Sequence, residues 1–436
     1  MNTKKVFIKN FGCQMNIRDS EFVTGLLLED GFKMAKSAKD ADVILFNSCS
    51  VRKHAEDRLF SNIAQLRSLK EKKRHLVIGL MGCTAQNYKD KILERAPLVD
   101  IVCGPQDEYR LAAIIKDVAK NRCPIIATGG IGEKRPEQLT KYRDQKFKTF
   151  VSIGEGCDNF CSYCIVPYVR GRERSRDAKD IIREVRSLAD RGFKEITLLG
   201  QNVNSYGRRT TEFIKLLTRL NSIDGIERIR FMTSHPKDVS IDLFKAMRDL
   251  ENLCEHLHLP LQSASDRILK LMNRGYTKKE YLKLVENYKR FVPVGSITTD
   301  VIVGFPSETE RDFEETFELM KDIRFDSAFT FKYSPRPPAR SAKFKDNVGS
   351  DVKEARLKCL SDLQCEISRR RNERAIGKTV EVLVEDLNER SPSLLTGRTR
   401  TNKIAIFAGS KKSVGKLADI KIEEATPYAL KGRIVG

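Results

Sequence analysis

From about residue 5 to about residue 335 the chain repeats one pattern: a short apolar run, a polar or glycine-bearing turn, then an amphipathic stretch. The first such runs are Val6–Ile8, Ala41–Phe46, Leu76–Met81 and Val99–Val102. Helical stretches are expected from an Asp19–Ser20 cap through Leu28 and from about Arg52 to Leu69. Apolar strands that alternate with helices form parallel sheets covered on both faces, because the crossover to a parallel neighbour is a helix. The fold class is therefore α/β. A polar segment, Ile131–Asp144, separates these runs from six more: Thr149–Ile153, Glu195–Leu199, Arg228–Met232, His256–Leu259, Ile297–Val303 and Ala328–Tyr333. Eight such units close a barrel, so six predict an open, partial (β/α)6 barrel whose lateral gap admits a bulky substrate. A charged helix from about Asp351 to Arg374 follows. The period then changes to five short alternating runs, Thr379–Val384, Leu394–Thr399, Ile404–Phe407, Leu417–Ile422 and Leu430–Val435, which predict a small antiparallel β-barrel. The 436 residues exceed one ordinary core, and the expected units are 1–130, 143–373 and 376–436.

The chemistry is carried by cysteine. Cys157, Cys161 and Cys164 form a CxxxCxxC loop directly after the first strand of the central unit. Three thiolates in that spacing can wrap one [4Fe–4S] cube, which normally takes four. With no fourth cysteine nearby, one iron stays open to a group that is not protein. A second set lies in the N-terminal unit. Cys13 and Cys49 are 36 residues apart, and Cys49 and Cys83 are 34 apart. Each follows a strand, so all three fall at the carboxyl edge of a parallel sheet, where such sheets bind ligands. They can converge on a second cluster; three half-buried packing cysteines are the plainer alternative. Cys103 also follows a strand, but its spacing breaks the rhythm and packing is the preferred role. Cys123, Cys254, Cys359 and Cys365 have no partner at ligand spacing.

An open iron beside an apolar-walled barrel can take the amino and carboxylate groups of S-adenosylmethionine. The expected cofactor contacts sit at strand C-termini: Gly200, Gln201, Asn202, Ser234, Gln262, Ser263 and Val303. Tyr163, inside the loop, is placed to pack on the adenine. Ser263 and Ser265 read equally as helix caps before Asp266. His256 and His258 alternate on a strand and share a face; with no carboxylate pattern beside them, packing is expected rather than zinc.

Charge points to the partner. A net charge of +21, from 80 Lys+Arg against 59 Asp+Glu, favours a polyanion, most simply nucleic acid. Arg170, Arg172, Arg336 and Arg340 follow strand ends on the expected active face, and Arg398 and Lys403 lie in the last unit; these are the candidate RNA contacts, with surface ion pairs as the alternative. Arg400, Lys411, Lys412 and Lys431 add positive charge there. No run approaches the roughly 20 apolar residues of a membrane helix, and the start lacks the apolar stretch of a signal peptide. A cytoplasmic protein is expected.

The loop on the first strand of six resembles the radical S-adenosylmethionine superfamily. Three cysteines on a preceding α/β unit and a basic barrel afterwards resemble its methylthiotransferases over essentially the whole chain. Phe11–Asn16, Asn47–Arg52, Gly156–Arg172, Gly200–Tyr206, His258–Gln262 and Asp300–Pro306 resemble the branch that makes 2-methylthio-N(6)-dimethylallyladenosine in tRNA. That resemblance implies a flavodoxin-like first domain, a radical S-adenosylmethionine barrel and an RNA-binding barrel called TRAM. It implies two [4Fe–4S] clusters, on Cys157, Cys161 and Cys164 and on Cys13, Cys49 and Cys83. One S-adenosylmethionine would give its methyl group to sulfur and another the radical that activates carbon 2 of N(6)-isopentenyl adenosine at position 37. The implied partners are the tRNA anticodon stem-loop, an electron donor such as a flavodoxin or ferredoxin, and a sulfur source, with no membrane and a monomeric chain. Sister enzymes act on threonylcarbamoyl-adenosine or on a ribosomal-protein aspartate; a non-catalytic iron–sulfur RNA-binding protein is the alternative from another class. Ala264 and Ser307 stand where the family usually has glycine.

Overall fold

A computed structural model describes residues 4–50, 53–130, 141–389 and 391–435. Most of the polar boundary segment, 131–140, and Arg52 lie outside the described residues. The first unit runs β1 (Lys5–Phe11), α1 (Gln14–Glu29), β2 (Lys33–Met34), β3 (Val43–Ser48), α2 (Lys53–Ala64), α3 (Arg67–Lys72), β4 (Val77–Met81), α4 (Cys83–Tyr88), α5 (Lys91–Arg95), β5 (Ile101–Cys103), α6 (Leu111–Asn121) and β6 (Ile125–Ala127). Its strands form one six-stranded sheet in the order β2-β1-β3-β4-β5-β6, parallel throughout. That is the flavodoxin order with a sixth strand at one edge. The central strand β3 is buried at every position because helices cover both faces. Val6, Leu27, Leu45 and Ile114 pack in one layer; Phe46, Leu59, Ile63 and Leu80 pack in the other. Each side chain so buried contributes about 1.5–3 kcal/mol.

Two helices differ from the sequence reading. α1 begins at Gln14, five residues before the Asp19–Ser20 cap expected there, with Cys13 at the cap position. Asp19 and Ser20 are buried mid-helix instead, where Asp19 pairs with Arg170 at 2.5 Å and Ser20 Oγ donates to Asn10 Oδ1 at 2.6 Å. The single helix expected to Leu69 breaks into α2 and α3, where the Leu66 amide donates to Ile63 one residue short of the α-helical register.

The second unit runs β7 (Lys148–Ser152), β8 (Gly154–Glu155), α7 (Val166–Val169), β9 (Arg174–Ser175), α8 (Ala178–Asp190), β10 (Glu195–Leu199), α9 (Thr210–Asn221), β11 (Arg228–Phe231), α10 (Ile241–Asp249), β12 (His256–His258), α11 (Asp266–Leu271), α12 (Lys278–Phe291), β13 (Ser296–Val303), α13 (Glu310–Ile323), β14 (Ser327–Lys332) and α14 (Ser350–Glu373). The six strands expected here appear in chain order, but as two three-stranded parallel sheets, β7-β10-β11 and β12-β13-β14. A single parallel bridge, Ile229 to Leu253, joins them. The seam falls where β12 is only three residues long, too short to carry a full ladder. Leu198, Phe231, Leu257 and Val301 face the helices in one continuous core. His256 and His258 share the other face, both within 2.9 Å of Thr298 Oγ1.

The third unit, β15 (Thr379–Asn388), β16 (Ser391–Thr399), β17 (Ile404–Ala408), β18 (Leu417–Ala425) and β19 (Leu430–Ile434), closes as β15-β16-β17-β19-β18. It is not wholly antiparallel: β17 and β19 run parallel. β18 returns to pair with β15, so β19, its hairpin partner, must fill the gap beside β17 in the parallel sense.

This barrel docks on the starts of the central strands. Arg228 donates to Glu381 at 2.6 Å and Arg230 to the Thr399 carbonyl at 2.7 Å. Arg400 pairs with Glu255, just before β12, at 2.9 Å, and Ser296 Oγ donates to the Thr401 carbonyl at 2.7 Å. The N-terminal unit docks elsewhere, through a buried cluster on Glu184. Arg143 and Arg176 reach that carboxylate at 2.6 and 2.7 Å, and Arg18 of α1 lies at 3.5 Å. Arg336 pairs with Glu56 of α2 at 3.0 Å, also buried.

Candidate functional site

Cys13, Cys49 and Cys83 each follow a strand of the first sheet, and local packing fixes two of them. Cys13 caps α1 in a reciprocal arrangement with Asn16. The Asn16 amide then donates to Asn47 Oδ1 at 2.8 Å, and the Asn47 amide returns to the Asn16 carbonyl at 2.8 Å. Gly82 makes room for this pair: its φ is +87°, and a Cβ there would stand 2.3 Å from Asn47 Oδ1. The three thiols feel one another. A hydrogen bond with Cys49 draws the Cys13 thiol down to about 6 against the opposing effect of burial, helped by the Arg170 charge. Burial pushes Cys83 up to about 11, and Cys13 adds to that.

The second set sits on the loop after β7. Gly156 holds the turn at φ +76°, with the Arg172 carbonyl where a Cβ would be, and the Cys157 amide donates to the Gly171 carbonyl at 3.2 Å. The segment after α11 clamps the loop. Ser162 donates to the Met272 and Leu271 carbonyls at 2.9 and 2.8 Å, and the Asn273 amide reaches the Asn159 and Phe160 carbonyls at 3.1 Å each. Arg274 Nη1 donates to Cys161 Sγ at 3.4 Å and lies 3.3 Å from the Tyr163 hydroxyl. Burial pushes Cys157 up to about 11 and Cys164 to about 12, and neighbouring thiols add to both.

The donor set suits iron–sulfur cubes better than single ions. Among the described residues no three His, Cys, Asp or Glu close around one ion, whereas a cube binds each thiolate at a different iron and spreads them. Buried thiols resist deprotonation unless a metal takes the thiolate, and two guanidiniums, Arg170 and Arg274, already face sulfur. At the neighbouring strand ends, Asn202 Oδ1, Ser234 Oγ, His235 Nε2 and Gln262 Oε1 are buried without a hydrogen-bond partner among the described residues. Burial, with Arg274 and Lys237, pushes His235 down to about 2; its Nδ1 accepts from the Lys237 amide, so Nε2 carries the proton. A donor and several acceptors left open at these strand ends can serve a polar ligand such as S-adenosylmethionine.

The sequence-predicted residues separate on this geometry. Gly200, Gln201, Asn202, Ser234 and Gln262 lie at the strand ends, and Gln201 Oε1 accepts from the Gly156 amide at 2.6 Å. Tyr163 packs with Ile302, Met272 and Phe305. Ser265 is the cap of α11, its hydroxyl accepting from Ile268. Ser263 is turned into the packing against α13, 3.4 Å from Thr316 Oγ1. Val303 is buried in the apolar core, and its carbonyl accepts from the Tyr333 amide at 2.9 Å. Cys103 ends β5 fully buried in the apolar layer beside Ile101.

The RNA candidates also divide. Arg172 and Arg340 are exposed; Arg172 pairs with Asp158 at 2.9 Å and lies over Phe160. Arg170 and Arg336 are buried in ion pairs with Asp19 and Glu56 of the first unit, and Lys403 bonds Asn372 at 2.8 Å and Asp326 at 3.1 Å. Half-buried Arg398 bonds the Asn402 carbonyl at 3.2 Å. A strand-end position does not tell an exposed cation from one consumed by a neighbouring domain. Sequence reading missed Asn16, Asn47, Asn273, Arg274 and His235. Only Asn16 carried a signal, its three-residue spacing from Cys13 at a helix start; the others act across tertiary contacts.

Comparison with known proteins follows the same three-part division. Family models match as Uncharacterized protein family UPF0004 over residues 5–104, Radical SAM superfamily over 151–320 and TRAM domain over 373–435. A relative from Thermoanaerobacter sp. (strain X514), named tRNA-2-methylthio-N(6)-dimethylallyladenosine synthase, is 47% identical, covering 98% of this chain and 92% of its own. One of the same name from Syntrophomonas wolfei is 48% identical over 99% and 97%. Among solved structures, a radical S-adenosylmethionine methyltransferase from Kitasatospora setae, with tryptophan substrate and a cofactor analogue bound, matches with TM-score 0.54 at 13% identity over 75% of this chain and 73% of that one. A cobalamin-dependent S-adenosylmethionine radical enzyme matches with TM-score 0.53 at 13% identity over 85% and 56%. At such identities these two structures support the fold alone.

Proposed function

Because this chain belongs to the family of tRNA-2-methylthio-N(6)-dimethylallyladenosine synthases, we propose that its two cysteine sets are the two halves of one methylthiolation centre. The chain is a radical S-adenosylmethionine transferase that methylthiolates carbon 2 of N(6)-dimethylallyl adenosine in tRNA, using two [4Fe–4S] clusters and S-adenosylmethionine. We place the clusters on Cys157, Cys161 and Cys164 and on Cys13, Cys49 and Cys83, and the modified base at position 37. When bound, these groups supply the electron, the radical, the methyl group and the sulfur. The protein's own residues hold and orient them. Asn16 and Asn47 fix the Cys13 turn; Ser162, Asn273 and Arg274 fix the Cys161 loop; Asn202, Ser234, His235 and Gln262 receive S-adenosylmethionine. The observation that carries this reading is the meeting of both cysteine sets at one interface, where Ile165 and Val169, just beyond Cys164, pack on Cys83.

Carbon 2 of a stacked adenine is out of reach, so the anticodon loop must present the base splayed out. Arg172 and Arg340 remain as RNA contacts beside the site, with exposed Lys411 and Lys412 on the last barrel. No helix among the described residues is long and apolar enough to cross a membrane. We take the chain as a cytoplasmic monomer served by a flavodoxin or ferredoxin and a sulfur source. The test is anaerobic reconstitution with a dimethylallyl-modified anticodon stem-loop and mass spectrometry of the nucleosides. Cys161→Ala abolishes S-adenosylmethionine cleavage. Cys49→Ala retains cleavage but gives no methylthio product; normal product from it would refute the second-cluster assignment.

A further inference from the structure

Arg170 stands at the junction of the two cysteine sets. It follows α7, six residues after Cys164, and is 3% exposed. Its Nε donates to Cys83 Sγ at 3.2 Å, and its Nη2 donates to Asp19 at 2.5 Å. Nη1 is buried and has no acceptor among the described residues. A guanidinium kept only for an ion pair often turns two nitrogens to the carboxylate in a fork. Here one edge nitrogen goes to sulfur and another is left open on the same side chain. The positioning is rigid, because Ile165 and Val169 of the same segment pack on Cys83, and the Asp19 carboxylate is held on α1, whose cap is Cys13.

We propose that Arg170 is a positioning residue for the second cluster: through its N–H bond to Cys83, and with its charge tempered by Asp19, it raises that cluster's reduction potential. Reduction adds one electron to an already negative cube and makes or breaks no bond in the protein. N–H donors to the thiolate sulfur and a nearby cation both favour the reduced form. Arg274, on Cys161, stands in the same relation to the first loop, so each set of thiolates has its own buried guanidinium. Arg170 differs in bridging two domains, and the loop that carries Cys164 thereby sets the electronic environment of Cys83. The proposal rests on the assignment of Cys13, Cys49 and Cys83 as cluster ligands.

The experiment uses the full chain with Cys157, Cys161 and Cys164 all changed to Ala, so that only the second site can hold a cluster. It is reconstituted anaerobically with ferrous iron and sulfide and titrated with dithionite, reading the reduced cluster by electron paramagnetic resonance. Arg170→Gln keeps an N–H donor but loses the charge; its reduction equilibrium is expected to fall at least tenfold, about 59 mV for one electron. Asp19→Asn frees the Arg170 charge and moves the potential the opposite way, and Arg170→Lys falls between the parent and Gln. Unmoved potentials at full iron content, or shifts of one sign in both Gln and Asn variants, would overturn the proposal and leave Arg170 a structural ion pair. Should Arg170→Gln fail to fold, Asp19→Asn and Arg170→Lys decide by the same signs. A parent that binds no iron at this site would refute the ligand assignment itself, and the proposal with it; iron content separates that failure from the other.

Discussion

At the scale of single residues, backbone conformation decides what a side chain costs where it stands. Ser307 has φ +71°, a left-handed conformation that costs an L-residue roughly 1–2 kcal/mol. Its neighbours hold it there: the Ser307 amide donates to Asn347 at 2.8 Å, and its carbonyl accepts from Arg267 at 2.6 Å. Ser307→Gly is expected to raise stability by about 0.5–1 kcal/mol, part of the relief being offset by the freer unfolded chain; the denaturant midpoint should rise with an unchanged slope. Ala264 carries no such strain, since its φ is not positive and its amide bonds Thr316 Oγ1 at 3.0 Å. A side chain thus costs stability at one of these positions and not at the other.

At the scale of elements, helix starts decide where functional loops point. Cys13 at the start of α1 becomes a ligand candidate because Asn16, one turn on, closes the cap that a serine would ordinarily make. α12, which carries no site residue, shows the ordinary version. Thr277 Oγ1 accepts from the Glu280 amide at 3.3 Å, and Glu280 accepts from the Thr277 amide at 2.8 Å. Thr277→Ala is expected to cost about 1 kcal/mol. The segment just before this cap includes Asn273 and Arg274, which clamp the Cys161 loop. Thermal denaturation of the apoprotein measures the cost directly.

At the scale of the molecule, ion pairs hold three units together, and the Glu184 cluster gathers three guanidiniums on one buried carboxylate. Burial alone would raise this carboxyl, but Arg176, Arg18 and Arg143 outweigh it and hold it below the ordinary value of 4.5. A folded value below the unfolded one means the stabilisation is complete above about pH 4.5 and is lost as pH falls through the folded value. Glu21 runs the other way, raised by its own burial, so the informative quantity is the difference between parent and Glu184→Gln. That variant is expected to lose about 3 kcal/mol or more at pH 7, as removal of one partner leaves buried cations unpaired. The loss should shrink toward acid pH in urea denaturation followed between pH 3 and 7.

The same scale fixes how an RNA must lie. The last barrel docks on strand starts while the cysteine loop sits at strand ends, and strands of three to eight residues separate the two by about 10–25 Å. An RNA touching both must therefore extend along the side of the central unit.

The sequence by itself determined the repeat of strand and helix, the six cysteines and their edge of the sheets, and the family. Strand runs, CxxxCxxC spacing and the position of each of Cys13, Cys49 and Cys83 after its own strand are all local properties, each written within a few residues. Only the tertiary structure decided which cations are exposed. Arg170 and Arg172 are two residues apart, yet Asp19 and Cys83 bury the first while the second stays exposed. It also divided the six-stranded array at β12 and turned β19 parallel to β17. The physical reason is common to all three: burial of a charge, closure of a sheet and the choice of a strand's neighbour depend on residues far away in sequence, and no local pattern encodes them.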